Sequence, residues 1–267
     1  MARTIAVTGV AGGIGAELAG LLQSQGHRVI GFDIRETSDG IDRFIPLDLS
    51  DTSSIEAAAA AVDVPLDGLC NNAGLPPRDG LESTLLQVNF LGTRLFTDLL
   101  TDRLSTGGAI VNVASRAGAQ WQKNLEQVLR LGALTDPDQL PAFVAREAID
   151  ATRAYNLSKE AVIAWTAAVT EDMIARGLRL NSISPGAVAT GILDDFARAF
   201  GENMVRNVAR AGRAASPREV AEVAAFLLSP ASSWLKGIDI AVDGGMGGFN
   251  MSDSLGLGAM KLANPSP

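Results

Sequence analysis

The chain has 267 residues, 47% of them hydrophobic, enough to bury one α/β core of ordinary size. Its formal charge of −8, with no basic run to offset it, disfavours nucleic acid and favours a small-molecule partner. Cys70 is the single cysteine, which excludes an internal disulfide, and no segment has the roughly 20 consecutive apolar residues of a membrane span.

Short β-branched runs alternate with helical patterns along the whole chain. That rhythm predicts one doubly wound, Rossmann-type α/β domain over 1–249, with a central parallel sheet of about seven strands and helices on both faces. The predicted strands run Thr4 to Thr8, Arg28 to Asp33, Phe44 to Pro46, Gly68 to Asn71, Ala109 to Ala114, Leu180 to Ser184 and Ile238 to Val242. The first strand begins without the long apolar region or cleavage site of a signal peptide, so cytoplasmic residence without membrane contact is expected.

Thr8-Gly9-Val10-Ala11-Gly12-Gly13-Ile14-Gly15 joins the first strand to the first helix. Glycines there let the backbone pass close to a pyrophosphate, and the following helix offers free N–H groups and the positive end of its dipole. Asp33 ends the second strand, near the spacing of about 20 residues expected of a carboxylate that binds the adenosine ribose hydroxyls. Such a carboxylate repels the extra phosphate of NADP, so NAD is the expected cofactor. Arg35 argues the other way, and a plain turn role for Asp33 is the alternative.

His27, at a helix-to-strand turn, is expected to be solvated or capping, and Cys70 to be a small core residue. No His, Cys and carboxylate cluster has metal-ligand spacing, so no metal centre is expected. About forty residues separate Ala114 from Tyr155, where connections of this fold are usually far shorter. Within this insertion, about 117–152, Trp121, Leu125, Val128 and Leu129 are read as an amphipathic stripe and Asp136-Pro137-Asp138-Gln139 as a helix start. Substrate lid, interface element and surface decoration are the three readings left open.

Tyr155 and Lys159 fall four residues apart, on one face of a predicted helix. A tyrosine pKa of about 10 needs roughly 4 kcal/mol of phenolate stabilisation to reach neutrality. One cation about 4 Å away supplies a contribution of that order at an effective dielectric of about 20. Lys159 is therefore expected to depress the Tyr155 pKa, with an oxidised nicotinamide ring as a second positive charge. The same helix carries Ala161, Val162, Ile163, Trp165, Ala167, Ala168 and Val169 and is apolar almost all round, which suggests a subunit contact. Ser216-Pro217-Arg218-Glu219 predicts a capped helix start reaching Leu228, and residues 250–267 read as a loose tail or an arm over a neighbour.

Taken together, Thr8-Gly9-x-x-x-Gly13-Ile14-Gly15, Asp48-Leu49, Asn71-Asn72-Ala73-Gly74, Asn89, Ser115, Tyr155-x-x-x-Lys159 and Pro185-Gly186-x-x-x-Thr190 resemble the short-chain dehydrogenase/reductase family in order and approximate spacing. The resemblance covers about residues 3 to 247. It implies that Tyr155 is the general acid/base, that Ser115 holds the substrate oxygen, and that Lys159 binds the nicotinamide ribose. It also implies that Asn89 supports a water relay to that lysine, a helix-bending amide being the alternative. Gly9, Gly12, Gly13, Ile14, Gly15 and Asp33 would bind the cofactor, with Asp48 and Leu49 flanking adenine, Asn72, Ala73 and Gly74 closing over the ribose, and Pro185, Gly186, Val188 and Thr190 meeting the nicotinamide.

Within the family, the Trp121 region, the insertion and Trp234-Leu235-Lys236-Gly237-Ile238 resemble the bacterial coniferyl-alcohol dehydrogenases. Gly31-Phe32-Asp33-Ile34-Arg35 and the insertion resemble the 3α-hydroxysteroid dehydrogenase/carbonyl reductases. Those resemblances imply an NAD-dependent oxidoreductase that interconverts a bulky apolar alcohol and its ketone or aldehyde, working as a homodimer or homotetramer. The substrate is expected between Trp121 and the stretch Ile192 to Val205, where Leu193, Phe196 and Phe200 form either an apolar wall or the packing face of a mobile helix. A non-catalytic dinucleotide-binding sensor, or an epimerase or dehydratase without net NADH formation, is the alternative.

Overall fold

Strands β1 (Thr4–Thr8), β2 (Arg28–Asp33), β3 (Arg43–Pro46), β4 (Leu66–Asn71), β5 (Leu104–Val113), β6 (Arg179–Pro185) and β7 (Asp239–Val242) form one parallel sheet in the order β3-β2-β1-β4-β5-β6-β7. This computed structural model describes residues 2–191 and 193–260. The helices are α1 (Gly13–Ser24), α2 (Thr52–Ala60), α3 (Glu82–Leu86), α4 (Thr93–Thr101), α5 (Leu125–Gly132), α6 (Leu140–Arg146), α7 (Ala151–Ala168), α8 (Thr170–Ala175), α9 (Leu193–Ala211), α10 (Pro217–Leu228) and α11 (Met246–Leu255).

A strand covered on both faces needs apolar residues on both, because neighbouring side chains point opposite ways. In β1, Ile5 and Val7 pack with Leu18 and Leu22 of α1 and Val220, Ala224 and Leu228 of α10. Ala6 between them faces the other layer, with Ile55 of α2 and Phe96 and Leu100 of α4. The capping box at Ser216 and Glu219 forms as the sequence predicts and starts α10 at Pro217. One buried polar ladder crosses the layers: Asn71 Nδ2 donates to Asn112 Oδ1 at 2.8 Å, and Asn112 Nδ2 to Thr166 Oγ1 of α7 at 3.1 Å. Burial pushes the Cys70 thiol up to about 12, as suits an inert core residue.

The order reverses between β1 and β4, so the connections leaving those strands diverge and open a crevice at their carboxyl ends. Asp33 and Pro185 end their strands at that edge, and the glycine turn, Asn72, Ser115 and Asp243 follow theirs.

Two expectations change here. The insertion packs against α7 and α3: Val128, Leu131, Leu140 and Phe143 cluster with Leu85, Leu86, Val162 and Ile163, and the cluster reaches Tyr155. Its buried stripe is Val128 and Leu131, whereas Leu125 and Leu129 are exposed, so the predicted stripe has the wrong phase. The insertion thereby covers Val162 and Ile163 of α7, while Ala167 and Ala168 farther along the same helix are exposed. Residues 250–267 are expected to form a loose tail or an arm over a neighbour; as far as Met260 the chain instead continues in α11 and a 3-10 turn, Leu257–Met260, and residues 261–267 lie outside the described part. Arg210 of α9 holds α11 by pairing with Asp253 at 2.6 Å and lying over the Phe249 ring.

Candidate active site

One cleft of about 1430 Å³ runs along the carboxyl edge of the sheet, above the few hundred to about 1,000 Å³ of a typical ligand pocket and large enough for a dinucleotide and a second molecule. Gly9, Gly12, Gly13, Ile14, Asp33, Asp48, Leu49, Asn72, Ala73, Gly74, Ser115, Tyr155, Lys159, Pro185, Gly186, Val188 and Thr190 all line it. Gly15 and Asn89 do not, and each has another place.

The glycine turn is shaped by close approach. Gly15 packs against the turn itself, where a Cβ would lie 2.1 Å from the Gly9 carbonyl oxygen. Gly9 has φ 75, and a Cβ on it would meet Asn72 Nδ2 at 2.7 Å. Asn72 in turn donates from Nδ2 to the Thr8 carbonyl at 3.1 Å, and Thr8 Oγ1 accepts from the N–H groups of Asn72 and Ala73. Above Gly12 only Arg35 Nη2 approaches, at 3.7 Å, so the backbone there is open to a ligand. These residues fit a pyrophosphate resting on the start of α1.

At the adenosine end, Asp33 Oδ2 accepts from Ala11 N and Oδ1 from Arg35 N, each at 3.0 Å. The carboxylate thus also braces the turn, which its alternative reading anticipates. Asp48 Oδ1 accepts from the Ser50 backbone and hydroxyl at 2.8 and 2.6 Å, fixing the loop before α2.

At the other end, Ser115 leaves β5 in extended backbone and its Oγ accepts from Ala117 N at 3.1 Å. The following loop lies directly on α7: a Cβ at Gly118 would come within 2.7 Å of the Lys159 carbonyl. That contact brings Ser115 beside Tyr155. Burial pushes the Tyr155 phenol up to about 12, against the opposing pull of the Ser115 hydroxyl. Burial also pulls the Lys159 ammonium down to about 8. Lys159 Nζ donates to the Val113 carbonyl at 2.8 Å and lies 5.9 Å from the Tyr155 ring centre. The expectation that Lys159 depresses the tyrosine is therefore not met in this arrangement; desolvation of the phenolate outweighs a cation that is turned to a carbonyl.

Asn89 sits in a π-helical turn, Gln87–Gly92, between α3 and α4. Its Oδ1 accepts from Leu75 N at 2.7 Å and its Nδ2 donates to Leu75 O at 3.0 Å and Ser158 Oγ at 3.3 Å. A Cβ on Gly74 would lie 3.1 Å from Asn89 Oδ1 and 3.6 Å from Lys159 Nζ, so the amide stands directly against the loop of Asn72, Ala73 and Gly74. Widened turns of this kind recur at functional sites.

Helix α9 closes over the tyrosine. Phe196 and Phe200 approach the Tyr155 ring at 5.2 and 6.2 Å between centres and stack on each other at 6.3 Å. Asp195 pins the same helix to the loop after β4 through Arg78, at 2.7 Å. Trp121 packs against the cluster that also holds Tyr155 and meets Phe196 and Phe200, and it does not itself line the cleft, whereas Ala117 at the start of the insertion does. Ile192 and the side chain of Leu193 lie outside what is described.

Arg116, Asn207, Asp243 and Met246, which belong to none of the sequence motifs, also line the cleft. Position in the chain carried one usable signal, since Arg116 directly follows the predicted serine and Asp243 directly follows the last strand. His27 accepts from Arg3 N through Nδ1 at 3.3 Å, far from this site. No group of carboxylates, histidine and cysteine able to hold a metal occurs among the described residues.

Two family profiles match the chain. The profile described as short chain dehydrogenase covers residues 3–126, and one described as Enoyl-(Acyl carrier protein) reductase covers residues 140–247. The coniferyl-alcohol dehydrogenase of Pseudomonas sp. (strain HR199 / DSM 7063) is 37% identical over 246 residues, 91% of this chain and 96% of that one. The 3-alpha-hydroxysteroid dehydrogenase/carbonyl reductase of Comamonas testosteroni is 31% identical over 91% of this chain and 95% of that one. The crystal structure of the 3-alpha-hydroxysteroid dehydrogenase from Pseudomonas sp. B-0831 complexed with NADH superposes with a TM-score of 0.81 at 36% identity, covering 97% of this chain and 100% of that one.

Proposed function

The chain belongs to the short-chain dehydrogenase family and is an oxidoreductase that uses a nicotinamide dinucleotide, and from that premise we propose that it interconverts a bulky, largely apolar alcohol and its carbonyl compound with NAD. The observation that carries the substrate class is the aromatic roof of Phe196 and Phe200 over Tyr155, which leaves an apolar wall where the reacting carbon must sit. The names of the relatives, a coniferyl-alcohol and a hydroxysteroid dehydrogenase, are of the same chemical kind.

The nicotinamide supplies the hydride acceptor or donor. Every other step falls to side chains of this chain. Ser115 holds the substrate oxygen by a hydrogen bond, and Tyr155 Oη exchanges a proton with it. With its pKa pushed up to about 12, Tyr155 enters as a phenol, the form that gives a proton to a carbonyl oxygen in reduction. Oxidation needs the phenolate, and Lys159 is the cation placed to favour it once turned from the Val113 carbonyl toward the ribose and the phenol. Asn89, fixed to Leu75 and Ser158, sits behind Lys159 as support for a water relay. Asp33 holds the adenosine ribose and disfavours the extra phosphate of NADP.

Tyr155→Phe is expected to abolish NAD-linked turnover of aryl, steroid and alicyclic alcohols while NAD binding survives; substantial residual turnover would remove the tyrosine from proton transfer. Asp33→Ala is expected to erode the NAD preference, and an unchanged NAD/NADP ratio of kcat/KM would remove Asp33 from that role.

A further inference from the structure

Arg116 directly follows Ser115 and lines the cleft together with Tyr155, Phe196, Phe200, Met204 and Met246. Its side chain is 21% exposed, and its Nε faces Asp243 Oδ2 at 3.0 Å. Asp243 is already well supplied: Oδ1 accepts from Gly245 N at 3.0 Å and Oδ2 from Gly247 N at 2.8 Å, where α11 begins. Two backbone donors and one guanidinium edge thus neutralise the carboxylate. The terminal nitrogens of Arg116, which carry most of the N–H donors of a guanidinium, make no hydrogen bond to the described residues.

Space has been kept for that guanidinium. A Cβ on Gly247 would lie 3.1 Å from Arg116 Nη2 and 3.2 Å from Asp243 Oδ2, so the guanidinium and its partner carboxylate lie close against the start of α11. The other cations of the cleft are engaged elsewhere: Lys159 on the Val113 carbonyl, Arg213 on Glu219 at 2.7 Å, and Arg35 at the opposite end beside Asp33. A partly buried guanidinium that already pairs with one carboxylate through Nε keeps the donors of its terminal nitrogens for a further anionic group.

We propose that Arg116 is a specificity-determining residue that binds a carboxylate on the substrate, so that the preferred alcohol or ketone has an apolar, ring-sized body and an anionic end within one arginine side chain of Ser115. This rests on the oxidoreductase reading above and narrows its substrate class. The fork of the guanidinium meets a carboxylate edge-on, and Ser115 and Tyr155 then hold the oxygen at the reacting end.

The test uses matched alcohols: para-(1-hydroxyethyl)benzoate and its methyl ester, with NAD. The acid is expected to exceed the ester by about tenfold in kcat/KM, carried by KM, as for one charge-assisted contact. In Arg116→Gln that ratio falls to about one, and Arg116→Lys restores part of it. Equal kcat/KM for acid and ester in the parent protein overturns the proposal, as does an Arg116→Gln protein that slows both alike and keeps the ratio. A second readout needs no turnover: calorimetric binding of para-tert-butylbenzoate to the NADH complex should weaken about tenfold in Arg116→Gln. Unchanged binding overturns the anion site whatever the kinetics. Weakened binding without turnover of any alcohol would sustain the site and sink the alcohol-oxidation reading instead.

Discussion

Tyr155 is the only tyrosine in the chain, so its ionisation can be followed directly by tyrosinate absorbance. Reading Tyr155 and Lys159 from spacing alone suggested a depressed phenol, because a charge four residues away is visible in sequence and the dielectric around it is not. Packing reverses the sign: Phe196, Phe200 and the α7 helix exclude water, and the phenol rises to about 12 while the lysine falls to about 8. A raised acid pKa keeps the proton on, so the free protein should show no tyrosinate through neutral and mildly alkaline pH. Adding oxidised NAD should lower the titration midpoint, and adding NADH should lower it less, since only the oxidised ring carries a positive charge. Identical midpoints in all three states would remove the cofactor ring and Lys159 from tuning this group. Arg116 illustrates the converse: the residue type was in plain view, but its unspent donors depend on where Asp243, Gly245 and Gly247 lie.

At the scale of elements, the existence of α7, α10 and all seven strands was legible because each is written in a local pattern of a few residues. Ser216 and Glu219 needed only each other to cap α10. The insertion was not legible in that way, since an amphipathic stripe states that a face is buried and not against what. Its anchorage turns out to be polar as well. Glu160 of α7, 1% exposed, pairs with Arg153 at 2.6 Å and accepts from Asn124 Nδ2 at 2.6 Å, while Arg153 Nε also donates to Gln127. Removing one partner of a buried pair strands the other, at a cost of about 3 kcal/mol or more. Glu160→Ala is therefore expected to lower the urea-unfolding free energy by about that amount, and a loss below about 1 kcal/mol would show that the apolar contacts alone seat the insertion on α7.

Across the whole molecule, β7 pairs on one side only and its open edge is unprotected by a further strand. Beside it the chain exposes Trp234 at 91% and Ile238 at 45%. The exposed indole and the open strand edge together make this a surface where copies of the chain are expected to associate. Trp234→Asp should shift the light-scattering mass toward the monomer, and an unchanged oligomeric mass would place the interface elsewhere. Among the described residues no helix is long and apolar enough to cross a membrane.

By itself, the amino-acid sequence determined the order of strands and helices, the glycine turn, the carboxylate after β2 and the pairing of Tyr155 with Lys159, because each is encoded within a turn or two of chain. Tertiary structure alone decided that the insertion packs on α7 and α3, that Phe196 and Phe200 of α9 lie against the Tyr155 ring, and that burial pushes the Tyr155 pKa up. The physical reason is common to all three. Packing contacts and desolvation are set by residues far apart in the chain, whose distance no local pattern records.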